Sequence, residues 1–209
     1  MKKFELTAES KINIFGKKLF RIKALISFGD VEEGDAGGWV EKDENLDQSG
    51  NAWVYGDAEV SGNARVYGDA EVSGNAWVYG NARVYGNAEV SGNAWVYGDA
   101  EVSGNARVSG NARVYGDAEV SGNARVYGDA EVSGNADYTT IHGFGTQFRT
   151  TTFFRCEDKQ VRVSCGCFSG TIPEFREQVK NTREGKIAEE YLMIADLMEK
   201  HFAEEESGE

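Results

Sequence analysis

The sequence predicts a mainly β protein: a parallel β-helix of about five 18-residue coils, with a β cap before it and an α+β cap after it. Three observations carry this. Glycine stands at 50, 56, 62 and every sixth position to 134, and the phrase Gly–Asn/Asp–Ala–x–Val–x runs unbroken through Val132. Alanine and valine two apart on a strand, such as Ala52 and Val54, face the same side and point inward, while the residues between them point out. Gly-Asn or Gly-Asp then turns each corner, because glycine adopts positive φ at no steric cost and Asn or Asp tolerates it.

Residues 1–34 form the first cap. Phe4/Leu6, Ile12/Ile14 and Phe20/Ile22 alternate at strand spacing, with Gly16-Lys17-Lys18 as a turn. A β cap covers what is otherwise an exposed sheet edge. Gly34, Val40 and Leu46 fall in the inward phase of Ala52, so the solenoid is expected to span 35–136, degenerate at its start, with Trp39 packed at the entrance. The regular repeat gives a prism roughly 23 Å tall at the usual strand spacing.

The module over 137–209 begins where Tyr138 replaces the expected valine. Residues 161–168 read as a strand pairing with 151–156 around Glu157-Asp158-Lys159. Thr171 and Glu174 form a capping-box signature, opening a helix to about Lys180. A second helix follows, with Ile187, Tyr191, Ile194 and Met198 on one face, and 204–206 reads as a frayed acidic tail. This module is expected to close the last coil.

The outward residues of the solenoid hold the information. Tyr and Ser alternate after valine except at Tyr79/Tyr85 and Ser103/Ser109. In an 18-residue coil those breaks stack Tyr79, Tyr97 and Tyr115 in one column and Trp77, Trp95 and Arg113 in the neighbouring one. That composition is typical of protein-interface hot spots. Three readings stay open at this point: self-association, a partner protein, and cross-strand stacking that only stabilises the sheet.

Charge and composition exclude several classes. The net charge of -13 divides as -2 before Gly50, -6 through Ala136 and -5 beyond it, which argues against direct nucleic-acid binding or a membrane surface. Recurring arginines on the solenoid argue against uniform mimicry of DNA. No apolar run spans a membrane, the start lacks a signal-peptide core, and three cysteines give no disulfide framework, so a cytoplasmic protein is expected.

The repeat resembles that of left-handed parallel β-helices such as the hexapeptide acyltransferases, and left-handedness is what the resemblance implies. Those enzymes use a histidine base, yet residues 50–136 contain no His, Lys, Cys or Pro and no interrupted hexad. The γ-class carbonic anhydrases need three zinc-binding histidines, and this chain has only His142 and His201. The calcium-solenoid pattern and an outward Thr-x-Thr ice-binding array are also missing. Cys165-Gly-Cys167 with Cys156 reads as buried small side chains rather than a zinc site. No catalytic residue, metal or cofactor is expected, and an acyltransferase relic is the outside alternative.

Over nearly its full length the chain resembles phage and prophage proteins labelled hexapeptide-repeat or polymer-forming cytoskeletal. The residues that carry this run from Leu19 to Leu25, Gly37 to Lys42 and Thr151 to Phe175. The resemblance implies a phage-type binding protein in a bacterial host, countering defence by sequestering a small phosphate-bearing nucleotide signal. The alternative is masking of a host protein through the aromatic face, and a homo-oligomer, a trimer first, is expected for hexad solenoids. The ligand-site candidates are His142, Gln147, Phe148, Arg149, Thr150 and Arg155, since guanidinium forks suit phosphate and aromatics suit a flat base. Removing Arg149 or Arg155 is expected to weaken such a ligand about ten- to a hundredfold without disturbing the fold.

Overall fold

The computed structural model describes residues 2–203, so the acidic stretch at 204–206 lies outside it. The chain divides into two compact units, Met1–Asn135 and Ala136–Glu209.

The first unit is a β-solenoid with three parallel sheets. One face stacks Ala36–Val40, Glu59–Val60, Trp77–Val78, Trp95–Val96, Arg113–Val114 and Glu131–Val132. A second stacks Trp53–Val54, Glu71–Val72, Glu89–Val90, Arg107–Val108 and Arg125–Val126, and a third runs from Arg65–Val66 to Glu119–Val120. Val54, Val72 and Val90 sit one coil apart, as the 18-residue period requires. Every repeat alanine and valine from Ala52 to Val132 is at most 1% exposed. Each coil buries only three valines, roughly 1.5–3 kcal/mol apiece, so the ladder bonds between coils matter. Trp77 N–H donates to the Ala94 carbonyl at 2.9 Å and Tyr79 N–H to that of Val96 at 3.0 Å. Asparagines extend the stacking to the corners: Asn63 donates to Asn81 at 3.1 Å, and Asn81 to Asp99 at 2.9 Å.

The corner glycines from Gly50 to Gly128 all have φ between +62° and +76°. At Gly74 a second constraint is added, because a Cβ would meet the Gly92 carbonyl oxygen at 2.9 Å and its nitrogen at 3.0 Å. Backbone conformation and coil spacing thus demand the same residue.

The hairpin Phe4–Ile12 and Lys18–Ala24 continues the first face antiparallel to Ala36–Val40. Its turn is Asn13–Lys17, with Gly16 at φ +74°. Phe4, Leu19 and Ile22 are buried, but Ile12 and Ile14 are 73% and 71% exposed. The expected alternation therefore fails at the hairpin tip, where the strand pair projects beyond its core contacts. The phase of the entrance is also corrected. Val40 pairs with Val60 and Leu46 with Val66, so both occupy the valine register rather than that of Ala52. Gly34 is exposed at φ +97° and faces no core. The spacing from Leu46 to Val54 carries two extra residues, a wider corner into which Lys3 and Gln48 are built. Trp39 is buried, with the Lys11 ammonium 4.5 Å and the Arg21 guanidinium 4.9 Å from its ring centre.

The second unit is a four-stranded antiparallel sheet, Tyr138–Phe144, Arg149–Arg155, Val161–Cys165 and Phe168–Thr171 in sequential order, followed by helices α1 (Ile172–Thr182) and α2 (Gly185–His201). The Thr171 side chain accepts from the Glu174 N–H, and the Glu174 carboxylate accepts from the Thr171 N–H at 2.7 Å, a closed capping box. Phe153, Val163, Phe175, Val179, Tyr191, Ile194 and Met198 form the core between sheet and helices.

Candidate functional site

Two places in the molecule gather the singled-out side chains. The first is the aromatic face of the solenoid. The parallel register places Trp77 beside Trp95 and Trp95 beside Arg113. The indoles stack with centroids 4.9 Å apart and planes 12° from parallel. Tyr79 and Tyr97 stack at 4.9 Å and 2°, and Tyr97 and Tyr115 at 5.0 Å and 4°. Arg113 caps the Trp95 ring at 6.0 Å. Burial, and then the neighbouring Tyr97, push the Tyr79 phenol up to about 12. The Tyr115 hydroxyl donates to Glu131 at 3.0 Å.

This geometry settles what the face offers. Tyr97 has a ring on either side, and Trp95 lies between an indole and a guanidinium. An inserted planar group needs about 3.5 Å on each of its faces, so a 4.9 Å step admits none. The columns thus present ring edges, hydroxyls and an indole margin, a surface suited to another packed surface rather than to a base or sugar sandwiched between rings.

Sequence reasoning missed one contributor to this face and a second stack elsewhere on the solenoid. Phe15, at the hairpin tip, lies edge-on to Trp77 at 5.4 Å and against Tyr79 at 4.9 Å. No periodicity marks it, since the hairpin is outside the repeat. With Ile12 and Ile14 on the same tip, it adds exposed apolar area to the columns. Tyr67 and Tyr85 form a second stacked pair at 4.9 Å and 3° on a different face. Their 18-residue separation was a legible signal.

The six ligand-site candidates do not converge on one point. Along the strand Arg149–Arg155, successive side chains alternate, so Arg149 and Thr150 project to opposite sides. His142 Nδ1 lies 3.2 Å from the Thr150 hydroxyl, an exposed pair. Phe148 is 64% exposed at φ +48°, in the turn before the strand. Arg155 is engaged structurally: it donates to the Phe202 carbonyl at 2.9 Å and pairs with Asp137 at 3.4 Å. Gln147 and Arg149 are a second pair brought together, the guanidinium donating to the amide oxygen. Arg162 is held by Asp158 and Gln160.

Gln147 and Arg149 open onto the second place, a cavity of about 140 Å³ within the C-terminal unit. Its apolar wall includes Phe144, Phe168, Phe175 and Val179, and its polar margin adds Gln178, Thr182 and Arg183. Tyr191 stands in it, donating to the Phe144 carbonyl at 3.2 Å; burial first, then the Cys165 thiol, raise its phenol above the ordinary value. Thr151 donates to Cys165 Sγ at 3.2 Å. Among the described residues no three His, Cys, Asp or Glu side chains are grouped to hold a metal ion, and no helix is long and apolar enough to cross a membrane.

Comparison with known families bears on the solenoid alone. Residues 58–74, 76–92, 82–98, 100–116, 106–122 and 118–134 match the family model of the YdcK Beta solenoid repeat. No curated protein matches the chain. The similarity is one of coil architecture, and all the matched residues lie within the hexads.

Proposed function

We propose that this repeat β-solenoid protein is a non-enzymatic binding protein whose aromatic face meets another protein surface, a second copy of the chain in the first instance. The observation that carries the reading is the closed stack of Trp77, Trp95, Tyr79, Tyr97 and Tyr115, extended by Phe15 from the hairpin tip. Stacking that only stabilised the sheet needs no exposed Ile12 and Ile14 on the hairpin tip whose Phe15 joins the columns. Tyrosine and tryptophan supply large contact areas with little side-chain entropy to lose, which is why they concentrate in interfaces.

Sedimentation equilibrium at micromolar concentration tests this. The expected result is an oligomer, with a trimer the first assignment, that dissociates on combined replacement of Trp77, Trp95 and Tyr97 by serine. An oligomer that survives the triple variant removes self-association from this face. A wild-type monomer leaves a heterologous protein, a host protein in the phage-type setting, as the partner to be sought.

A second reading, sequestration of a small phosphate-bearing nucleotide signal, is favoured by a separate observation. Arg149 and Arg183 both border the C-terminal cavity, and among the described residues neither forms an ion pair with a carboxylate.

A further inference from the structure

The cavity of the C-terminal unit restricts what that second reading can mean. Its volume of about 140 Å³ matches a cavity of ~150 Å³ that accepts benzene, one six-membered ring. Aromatic rings and Val179 form one side of it, next to the Cys165 and Cys167 thiols and the polar Gln147, Gln178 and Thr182, so a flat ring with polar edges suits the enclosed part of a ligand. The charge sits at the margin. Arg149 lies over Gly166, whose φ of +63° and missing side chain make room for it; a Cβ there would collide with the guanidinium. Gly145 likewise clears the way for Tyr191, since a Cβ would come within 2.5 Å of its hydroxyl. Both glycines sit at positive φ, and each leaves free the space that the Tyr191 or Arg149 side chain occupies.

The two arginines are not equivalent. Arg183 caps the C-terminus of α1, where carbonyl groups carry partial negative charge, and donates to the Thr182 carbonyl at 3.0 Å. Arg149 spends its contact on the neutral amide of Gln147. No carboxylate lines the cavity. Its electrostatic character is thus positive at the rim in a chain of net charge -13, a placement that repels bulk anions yet rewards one that docks.

We propose that this cavity binds a small anion built on a single six-membered ring, the ring enclosed by Phe144, Phe168 and Val179 and the carboxylate or phosphate held by Arg149 with Arg183. The proposal rests on the small-ligand reading and narrows it: a pyrimidine nucleotide or a simple aromatic acid fits, and a purine or dinucleotide does not fit as the enclosed part.

Isothermal titration of the full chain tests it, with phenyl phosphate and benzoate as ring anions, phenol and inorganic phosphate as the separated halves, and uridine and adenosine monophosphates as the nucleotide arms. At least one ring anion is expected to bind, with phenol and phosphate at least about tenfold weaker. Arg149→Gln is expected to lower affinity by at least about tenfold with an unchanged melting curve, and Arg183→Gln by less, with only the small loss of stability that its bond to the Thr182 carbonyl implies. Arg162→Gln, whose guanidinium is held by Asp158 outside the cavity, is expected to change nothing. Uridine monophosphate binding above the simple acids assigns the natural source to nucleotides; the reverse order assigns it to aromatic acids. A nucleotide that binds equally well to wild type, Arg149→Gln and Arg183→Gln overturns this site while leaving nucleotide capture standing. Tighter binding of the adenine than of the uracil nucleotide overturns the size limit. Silence across all six probes overturns both the site and the small-ligand reading.

Discussion

Lys3 donates from its buried ammonium to the carbonyl of Ala52 at 2.8 Å, across 49 positions of sequence, and so fastens the start of the chain into the wide first corner of the solenoid. It also reaches the carbonyls of Ser49 and Gly50 and lies 4.8 Å from the centre of the Phe28 ring.

That burial makes stability depend on pH. Desolvation lowers the Lys3 pKa from 10.5 to about 8, against the opposing pull of Asp47 and Asp69. The unfolded chain therefore holds more protons than the folded one between these values. The resulting contribution is fully present above the unfolded value and is lost as the pH falls through about 8. In urea titrations, wild type is expected to gain on Lys3→Met between pH 8 and 10, by up to about 3 kcal/mol. Parallel curves for the two proteins over that range would disprove the linkage.

Tyr79 gives the opposite sign. Its phenol is raised to about 12, so the folded state resists ionisation, and the stability it contributes is intact below pH 10 and lost as the pH rises toward 12. Absorbance titration should show late-ionising phenols at pH 11 in wild type, Tyr79 among them. Tyr79→Phe should remove one phenol's worth of that late absorbance change, and an unchanged late amplitude would disprove the assignment.

Gly74 and Gly128 separate backbone strain from coil contact. Both have nearly the same φ, +68° and +67°, but a Cβ at Gly128 meets nothing within 4 Å, whereas at Gly74 it meets the Gly92 backbone. Gly128→Ala is expected to cost about 1–2 kcal/mol, the ordinary penalty for alanine in this conformation. Gly74→Ala should cost clearly more. Equal unfolding midpoints for the two variants would show that the coils yield without strain.

Arg155 is expected to behave as a structural residue, contrary to its reading as a spare phosphate ligand. Arg155→Ala removes the bond to the Phe202 carbonyl and the pair with Asp137, and should destabilise the protein by about 1–3 kcal/mol. Arg149→Ala should stay within about 0.5 kcal/mol of wild type. Thermal melts of the two variants decide the matter.

These residues also show where the sequence was readable. Val54, Val72 and Val90 could be stacked by counting, because a short exact period converts sequence distance into spatial distance. The columns of Trp77 and Tyr79 followed from the same count, and so would Tyr67 over Tyr85. Phe15 against Trp77 was not countable, since a hairpin tip lands where its own bulge and turn send it. The two-residue offset at Leu46 was hidden because Val40 and Leu46 are apolar in either register. In the C-terminal unit, Tyr191 meets the Phe144 carbonyl 47 positions away through helix packing that leaves no local signature. Arg183 likewise reads as an ordinary helix end until the fold brings it to the same cavity as Arg149.

Three hexads per coil also make the molecule a counting device. Removing a whole coil, residues 81–98 for example, would leave later columns on their original faces while shortening the ladder by one rung. Removing a single hexad would rotate everything after it by a third of a turn. Trp95 would then leave the Trp77 column for a neighbouring face, although the core of alanines and valines would close as before. Change in chain length is therefore quantised: the interior accepts steps of six, and the aromatic face accepts only steps of eighteen.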